Sequence, residues 1–289
     1  MRMNKYWLAT TDHLEDRLWF REEEDFRVGM NFVAIQAHVG KVKVLAFILM
    51  SNHVHFVLKG RWEDVQAFIN GFKHRYSIYL REKYGIKEFL RGNNVDLRPV
   101  SLDNEEMERT VAYVHMNSVA ANICAHPSQY PWGTGSVFFN PSPQSGTPLG
   151  KFSKRARQRL FHSRDILLPA DWEVCADGYI TPASYIDVKS VEACFRTAKR
   201  MNYFNGNSSK ARKQLDAQDM PAFRDQIILS ALPDLCRSLF GKNGFGELSG
   251  EDRTEFVRQI RYRFSAGVHQ IARVCGITYD DAAVLMESV

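Results

Sequence analysis

The sequence has no long apolar run and few cysteines. No stretch approaches the roughly 18 consecutive apolar residues that a membrane-spanning helix needs, and the N-terminal segment has no apolar signal-peptide core. The five cysteines are never closely spaced; they are Cys124, Cys175, Cys194, Cys236 and Cys275. We therefore expect reduced thiols in a cytoplasmic protein without a membrane partner, and neither disulfides nor a structural zinc site.

Several common site motifs are also missing. The patterns HExxH and CxxC do not occur, and GKNGFG at 241–246 is not a phosphate-binding loop because no Lys-Ser or Lys-Thr pair follows its glycines. The formal net charge of +5 favours a polyanionic partner only slightly. With 45% hydrophobic and 25% charged residues, the composition is that of an ordinary globular protein.

The order of apolar patterns in the first half of the chain indicates an α+β fold. Period-2 runs predict strands, and apolar residues at helical spacing predict helices. The strands are expected at 6–11, 42–50, 53–59 and 96–100, and the helices at 16–39, 62–84 and 105–122. This order predicts a ferredoxin-like (RRM-like) antiparallel sheet with helices on one side.

The remainder of the chain divides at a segment rich in proline and glycine. NPSPQSGTPLG at 140–150 has the composition of a linker, so we expect domains at 1–140 and 225–289 with a basic, irregular segment at 141–224. The run KFSKRARQRLFHSR at 151–164 carries six basic residues and no acidic one. The last segment is helical throughout and ends in a predicted helix-turn-helix around Gly276.

Two histidines in the second strand of the predicted hairpin share one face of the sheet. The run HVHFVL begins at His53, and alternate side chains of a strand point to opposite faces. His53 and His55 therefore lie side by side. They are either two half-buried polar groups or part of a metal site.

A second pair of polar residues lies on the predicted helix 105–122. Tyr113 and Asn117 are four residues apart and thus neighbours on one helix face. An amide oxygen added to two imidazoles suits Mg²⁺ or Mn²⁺ bound to a phosphate oxygen. Tyr113 could then attack the phosphorus if a nearby cation favours the phenolate. The rival nucleophiles are Tyr76 and Tyr79 of the helix 62–84, and Tyr113 could also be an ordinary packing tyrosine.

Two segments resemble those of a known family. MSNHVHFVL resembles the His-hydrophobe-His motif of the HUH single-strand endonucleases. AYVHMNSVAANICAHPSQYPW resembles the segment of the REP-associated tyrosine transposases that carries the nucleophilic tyrosine. The matching positions are Tyr113, Val114, Asn117, Val119, Ala121, Tyr130, Pro131 and Trp132. The sequence departs from the family pattern at Ser118, usually proline, and at Ala120, often arginine.

The resemblance implies a tyrosine-nucleophile transposase. By it, Tyr113 is the nucleophile, His53, His55 and Asn117 hold a divalent metal ion, and residues 1–140 are an HUH-type nuclease domain. Cleavage would leave a 5′-phosphotyrosine and a free 3′-hydroxyl. The implied partner is single-stranded or hairpin DNA of a repetitive element. The relatives act as dimers or as monomers, so a homodimer stays open.

Basic and polar residues outside this motif are candidate DNA contacts, although each could equally belong to a solvated surface. They are Lys73 and Arg75, then Lys154, Arg155 and Arg157, and finally Gln270 and Arg273 of the helix-turn-helix. The second helix of that motif carries Asp280, Asp281 and Glu287, which disfavour deep insertion into a DNA groove. Two other functions remain open: a non-catalytic nucleic-acid-binding regulator derived from a transposase, and a metal-dependent phosphodiesterase that uses water.

Overall fold

The computed structural model describes most of the chain. The described residues are 5–11, 18–86, 95–121, 123–141, 146–163, 167–208, 225–264 and 266–287. In the first half they form β1 (Lys5–Thr10), α1 (Glu23–Val39), β2 (Lys43–Leu49), β3 (Val54–Gly60), α2 (Trp62–Tyr84), β4 (Asp96–Val100), α3 (Glu106–His115) and α4 (Asn117–Ala120). Further on they form β5 (Thr147–Pro148), α5 (Lys154–Phe161), β6 (Glu173–Val174), α6 (Val188–Phe195), α7 (Ala198–Gly206), α8 (Asp225–Phe240), α9 (Gly250–Phe264), α10 (Val268–Cys275) and α11 (Tyr279–Glu287).

A four-stranded sheet with the order β2-β3-β1-β4 lies at the centre of the first half. Each neighbouring pair is antiparallel, and the chain visits the strands in a β-α-β-β-α-β order. The α+β prediction is confirmed as a mixed fold with a four-stranded antiparallel sheet. In this register Thr10 of β1 lies opposite His55 of β3.

Helix α1 begins at Glu23, later than the predicted start at residue 16. Glu22 and Asp25 form a reciprocal capping box there, which satisfies amides at the helix start. The preceding residues are used for packing: Trp19 and Phe20 are fully buried, and their amides donate to the carbonyl of Ser51 at 2.7 and 3.0 Å. The first part of the predicted helix, residues 16–17, lies outside the described residues.

Helix α2 covers the sheet with aromatic side chains at helical spacing. Phe68 and Phe72 pack edge-to-face on Phe56 of β3, with ring centroids 5.4 and 5.6 Å apart. The helix ends at Gly85, whose φ of 68° favours glycine. This end agrees with the sequence prediction.

The predicted helix 105–122 is interrupted at Met116. α3 ends at His115, and the short α4 starts at Asn117. The Asn117 side-chain amide donates to the carbonyls of Tyr113 and Val114 at 2.9 and 3.3 Å. In a continuous helix these two carbonyls would accept hydrogen bonds from the backbone amides four residues later. The Asn117 side chain donates to them instead, so it competes with continuation of the helix. Residue 122, the predicted end, lies outside the described residues.

The segment after residue 140 contains more regular structure than the sequence analysis predicted. Leu149, Phe161 and Phe195 are buried in the same hydrophobic cluster as the sheet. Asn31 of α1 fixes this segment further, since its side chain donates to the carbonyls of Leu160 and Gly178 and accepts from the amide of Ile180. The core of the described residues therefore extends past the predicted boundary at residue 140, as far as Phe204.

Helices α8 to α11 form a second hydrophobic cluster. Phe256, Ile260 and Ile271 are fully buried in it. α10 and α11 are joined by a turn at Gly276, which has a φ of 67°; a DNA-binding role for this helix-turn-helix stays a prediction. Among the described residues, no helix is both long and apolar enough to cross a membrane.

Candidate active site

The two histidines lie at the start of β3 and are in contact with each other. Their ring centroids are 4.8 Å apart and the rings are nearly perpendicular. His55 is almost fully buried, with 1% of its surface exposed, whereas His53 is half-buried. The pleat of β3 thus brings both imidazoles to one face of the sheet, as the alternation of the sequence predicted.

Each imidazole is oriented by a contact at Nδ1. The Nδ1 of His55 lies 3.0 Å from the Thr10 hydroxyl across the strand pair, and the Nδ1 of His53 lies 2.9 Å from the Asn52 side-chain oxygen. Because an amide oxygen only accepts, His53 carries its proton on Nδ1 in this contact. His53 would therefore bind a metal ion through Nε2, and so would His55 in the tautomer whose Nδ1 donates to the Thr10 hydroxyl, as outer contacts commonly enforce on metal-binding histidines.

Tyr113 lies directly beside this pair. Its ring centroid is 5.4 Å from that of His55, and the rings are again nearly perpendicular. Tyr113 is half-buried and lies on α3, which packs against β2 and β3. Residues 58 positions apart in the sequence thus meet in the folded protein, a proximity that the sequence could suggest only through the family resemblance.

Asn117 is joined to Tyr113 through the backbone. Its Nδ2 donates to the Tyr113 carbonyl, so Oδ1 is the atom with which this buried side chain would bind a cation. Imidazole nitrogens and an amide oxygen are both ligand types of divalent cations. No cluster of three or more His, Cys, Asp and Glu side chains occurs in the described part of the chain. A metal site with protein ligands besides the two imidazoles would need an amide oxygen such as that of Asn117.

The rival tyrosines of α2 are held in structural roles. The Tyr76 hydroxyl donates to the Trp19 carbonyl at 2.7 Å, and the Tyr79 hydroxyl donates to Asp25 at 2.7 Å. Burial raises the pKa of both phenols, which disfavours the phenolate that a nucleophile needs. Their geometry therefore favours Tyr113 over both.

The Tyr-Pro-Trp segment braces the edge strand β2. The Tyr130 hydroxyl donates to the Leu49 carbonyl at 2.8 Å, and the Leu49 amide donates to the Trp132 carbonyl at 2.8 Å. Trp132 also stacks on Phe26 of α1 with ring centroids 5.2 Å apart. These residues hold the strand that precedes the histidine turn.

The basic residues of α2 are less exposed than a solvated helix face would be. Lys73 is buried and Arg75 is half-buried, and burial lowers the pKa of both side chains. Lys83, at the end of the same helix, forms ion pairs with Glu22, Glu24 and Asp25. Lys73 and Lys83 therefore contribute less to a basic surface of α2 than their spacing in the sequence suggests.

The candidate contacts on α5 fall into two groups. Lys154 and Arg155 are exposed. Arg157 instead donates to the carbonyls of Phe152 and Gly150 at 3.0 and 3.2 Å, so it stabilises the turn that precedes the helix. Of these three residues, Lys154 and Arg155 are the better placed for a phosphate backbone.

Gln270 and Arg273 line the same cleft as His53. This cleft has a volume of about 590 Å³ and separates the turn 51–53 from α10. Both side chains contact the buried Asp225, Gln270 at 2.7 Å and Arg273 in an ion pair at 3.0 Å. They thus stabilise the start of α8 and at the same time border the cleft that leads to the histidine pair.

No sequence motif marks the residues that orient the histidines or those that flank the tyrosine. Asn52 could have been noticed as the direct neighbour of His53. Thr10 could not, because its position depends on the register between β1 and β3. A pocket of about 380 Å³ beside Tyr113 is lined by residues of α3 and α7 that no motif marked, including Arg109 and Tyr203.

A comparison with models of known protein families agrees with the resemblance of the histidine and tyrosine segments. Residues 19–116 match the sequence model of the family described as "Transposase IS200 like". The resemblance to this transposase family is confirmed. The IS200-like match covers about a third of the 289 residues and includes His53, His55 and Tyr113, but it ends one residue before Asn117. Residues 117–289 therefore lie outside the IS200-like match.

Other comparisons add little. No curated protein matches this chain in sequence. A solved structure described as the REP-associated tyrosine transposase bound to a REP hairpin aligns with a TM-score of 0.37 and 13% identity, over 45% of this chain and 76% of that one. A likeness of this size does not bear on the IS200-like assignment.

Proposed function

We propose that this protein is a metal-dependent single-strand DNA endonuclease and strand transferase that uses Tyr113 as its nucleophile. The observation that carries the proposal is the contact of His53, His55 and Tyr113 rings from two distant elements, at 4.8 and 5.4 Å. The IS200-like match over the same residues supports it. A packed protein core seldom collects two oriented imidazoles and a half-buried phenol without a polar function.

In the proposed reaction the Tyr113 oxygen loses its proton and bonds to phosphorus while the bond from phosphorus to the 3′ oxygen breaks. The 3′ oxygen takes up a proton and leaves as a hydroxyl, and the 5′ phosphate stays on the tyrosine. A new 3′-hydroxyl can reverse the step, so rejoining needs no ATP. Asn117 supports the geometry because its side chain is anchored to the Tyr113 carbonyl.

The cation site of this proposal consists of His53, His55 and Asn117. A bound Mg²⁺ or Mn²⁺ would act as a Lewis acid on the phosphoryl oxygen. The protein's own part is to fix the two imidazoles through Thr10 and Asn52 before the substrate arrives. This preorganisation limits the reorientation needed at the moment of reaction.

The proposed substrate is single-stranded DNA next to a hairpin, as at the ends of a repetitive element. A half-buried tyrosine beside a sheet can reach a strand only where that strand is unpaired. Lys154 and Arg155 of α5 and the cleft lined by Gln270 and Arg273 are the proposed contacts to the DNA outside the site.

The test is formation of a covalent adduct. The purified full chain is incubated with a labelled library of single-stranded hairpin oligonucleotides and Mn²⁺ or Mg²⁺, and an SDS gel then separates adducts from free DNA. We expect a metal-dependent, SDS-stable band that is lost in Tyr113→Phe and retained in Tyr279→Phe, which changes an exposed tyrosine of α11.

The other outcomes favour the alternative functions. Cleavage without an adduct would indicate a phosphodiesterase that uses water. A native gel shift with neither cleavage nor adduct would indicate a non-catalytic DNA-binding regulator. Adduct formation by Tyr113→Phe would show that another residue is the nucleophile.

A further inference from the structure

Helix α7 is fixed against α3 just beside the proposed nucleophile. Arg200 donates to Glu105 at 2.9 Å and to Glu108 at 3.2 Å, and its guanidinium lies 5.0 Å from the centroid of the Phe204 ring. Phe204 is buried in the main hydrophobic cluster. These contacts set the position of α7, which lies outside the family match, relative to Tyr113.

The two helices enclose the pocket of about 380 Å³ that Tyr113 itself lines. This volume falls in the range of small-molecule sites, about 300–1,000 Å³. Arg109 lies one turn before Tyr113 on the same face of α3. From the side of α7 the pocket is lined by Tyr203, Phe204, Asn207 and Ser208.

The most unusual residue of the pocket is Tyr203. It is 63% exposed although its neighbour Phe204 is buried, and the two rings meet edge-to-face at 5.5 Å. The contact with Phe204 and the packing of α7 hold this exposed aromatic ring at the pocket wall. Aromatic rings presented in this way serve as stacking platforms for the bases of single strands, since every base has a π-face.

The charge of the pocket favours a base over a phosphate. Among its described lining residues only Glu105 and Arg109 carry a formal charge, and they form an ion pair at 3.1 Å. The lining is therefore formally neutral, whereas a phosphate site would need a net positive charge. Asn207 donates its Nδ2 to the Tyr203 carbonyl at 2.8 Å, so its Oδ1 can accept a hydrogen bond from a base edge.

We propose that the pocket between α3 and α7 binds the unpaired base next to the phosphodiester that Tyr113 attacks. Tyr203 stacks on this base, and Asn207 contacts its edge. The proposal rests on the proposed function, because it takes Tyr113 to be the nucleophile. It adds a base-binding subsite formed by residues beyond the matched family segment.

Equilibrium binding tests the subsite without cleavage of the DNA. The probe is a hairpin oligonucleotide with single-stranded flanks that carries 2-aminopurine at each flank position in turn. In the Tyr113→Phe protein with Mn²⁺, we expect fluorescence quenching on binding at one flank position. Adding Tyr203→Ala should remove this quenching and weaken binding roughly 5- to 100-fold, while Tyr203→Phe should retain both.

Trp62→Ala is the matched control. Trp62 is also an exposed aromatic residue, 46% exposed, but it follows the end of β3 that is opposite to the histidine pair. We expect it to bind and quench like the parent protein. Quenching at no flank position, or quenching and affinity that persist in Tyr203→Ala, would overturn the subsite.

The adduct assay separates this proposal from the proposed function. An adduct formed equally by the wild type and by Tyr203→Ala, with unchanged binding, overturns the subsite alone. Loss of quenching in Tyr203→Ala, when the wild type forms no adduct, shows that the pocket binds a base but overturns the proposed catalytic function and with it the position of that base beside an attacked phosphodiester.

Discussion

At the scale of single residues, the candidate site depends on side chains that no motif contains. His55 is held by the Thr10 hydroxyl and His53 by the Asn52 amide oxygen. Because these contacts engage Nδ1 of each ring, Nε2 is the nitrogen that would bind the proposed metal ion. In the proposed metal site the histidines would supply the ligands, and the contacts with Thr10 and Asn52 orient their rings.

We therefore expect Thr10→Val to weaken metal binding while the fold is kept. The substitution removes the hydroxyl that contacts the buried His55 and nearly conserves the volume of the side chain at position 10. Loss of such an outer contact typically reduces metal affinity about 10- to 100-fold. The measurement is the Mn²⁺ concentration that gives half-maximal adduct formation, with isothermal titration of Mn²⁺ as a second readout. Thr10→Ser retains the hydroxyl and should behave as the wild type; equal Mn²⁺ requirements in the wild type and Thr10→Val would contradict the role.

His115 makes the stability depend on pH. Its ring is almost fully buried, with Nε2 3.1 Å from the Thr134 hydroxyl, and burial lowers its pKa to about 4. As the pH falls below the ordinary histidine value of about 6.5, the unfolded chain takes up a proton first, so the folded state loses stability. This loss is complete near pH 4, where the folded state is also protonated, and amounts to about 3 kcal/mol.

Urea unfolding between pH 7 and pH 4 measures this effect. His115→Leu replaces the titrating imidazole with an apolar side chain that can stay buried. The variant should therefore lose less stability than the wild type over this pH range. Equal losses in both proteins would show that His115 does not carry the pH dependence.

At the scale of elements, Asp25 connects the start of α1 to the end of α2. The carboxylate has no exposed surface and accepts from the amides of Arg21 and Glu22. It also accepts from the hydroxyls of Tyr79 and Tyr84 and from the ammonium of Lys83. These five donors satisfy all of the roughly four lone-pair sites of the carboxylate, as a buried charge requires.

Asp25→Ala should lower the free energy of unfolding by about 3–5 kcal/mol. The substitution leaves two amides, two hydroxyls and the Lys83 ammonium without their common acceptor. Arg27→Ala, which removes an exposed ion pair of the same helix with Glu23, should cost no more than about 0.5 kcal/mol. Urea unfolding of the three proteins measures the difference, and a similar small loss in both variants would contradict a central role for Asp25.

At the scale of the whole molecule, the described residues form two main hydrophobic clusters. One includes the sheet and extends from Leu8 to Phe204, and the other includes α8 to α11. They are connected by polar contacts such as that of Gln226 of α8, which donates to the Phe20 carbonyl at 2.7 Å. Two separate hydrophobic cores in one chain can unfold separately.

The unfolding transitions followed by fluorescence and by circular dichroism should therefore have different midpoints in denaturant concentration. All five tryptophans lie between Trp7 and Trp172, so fluorescence reports on the first cluster, whereas the helical signal reports on both. Phe256→Ala removes a fully buried ring of the second cluster, at a cost of about 3–5 kcal/mol. It should shift part of the circular dichroism transition and leave the fluorescence transition unchanged. A common shift of both signals would indicate one cooperative unit.

The sequence by itself determined the local features of this protein. The alternation of the run from His53 placed both imidazoles on one face, and the spacing of Tyr113 and Asn117 placed them on one side of a helix. The order of strands and helices gave the mixed fold with an antiparallel sheet. These features depend on periodicity and on contacts a few positions apart, which are written in the sequence.

Only the tertiary structure decided the contacts between distant segments. The register between β1 and β3 brings Thr10 to His55, and the packing of α3 brings Tyr113 to the same ring. A proline-rich composition predicted a linker, yet Leu149 joins the main core and α7 completes a pocket beside Tyr113. Such contacts depend on shape and hydrogen-bond geometry across long stretches of chain, which residue patterns do not encode locally.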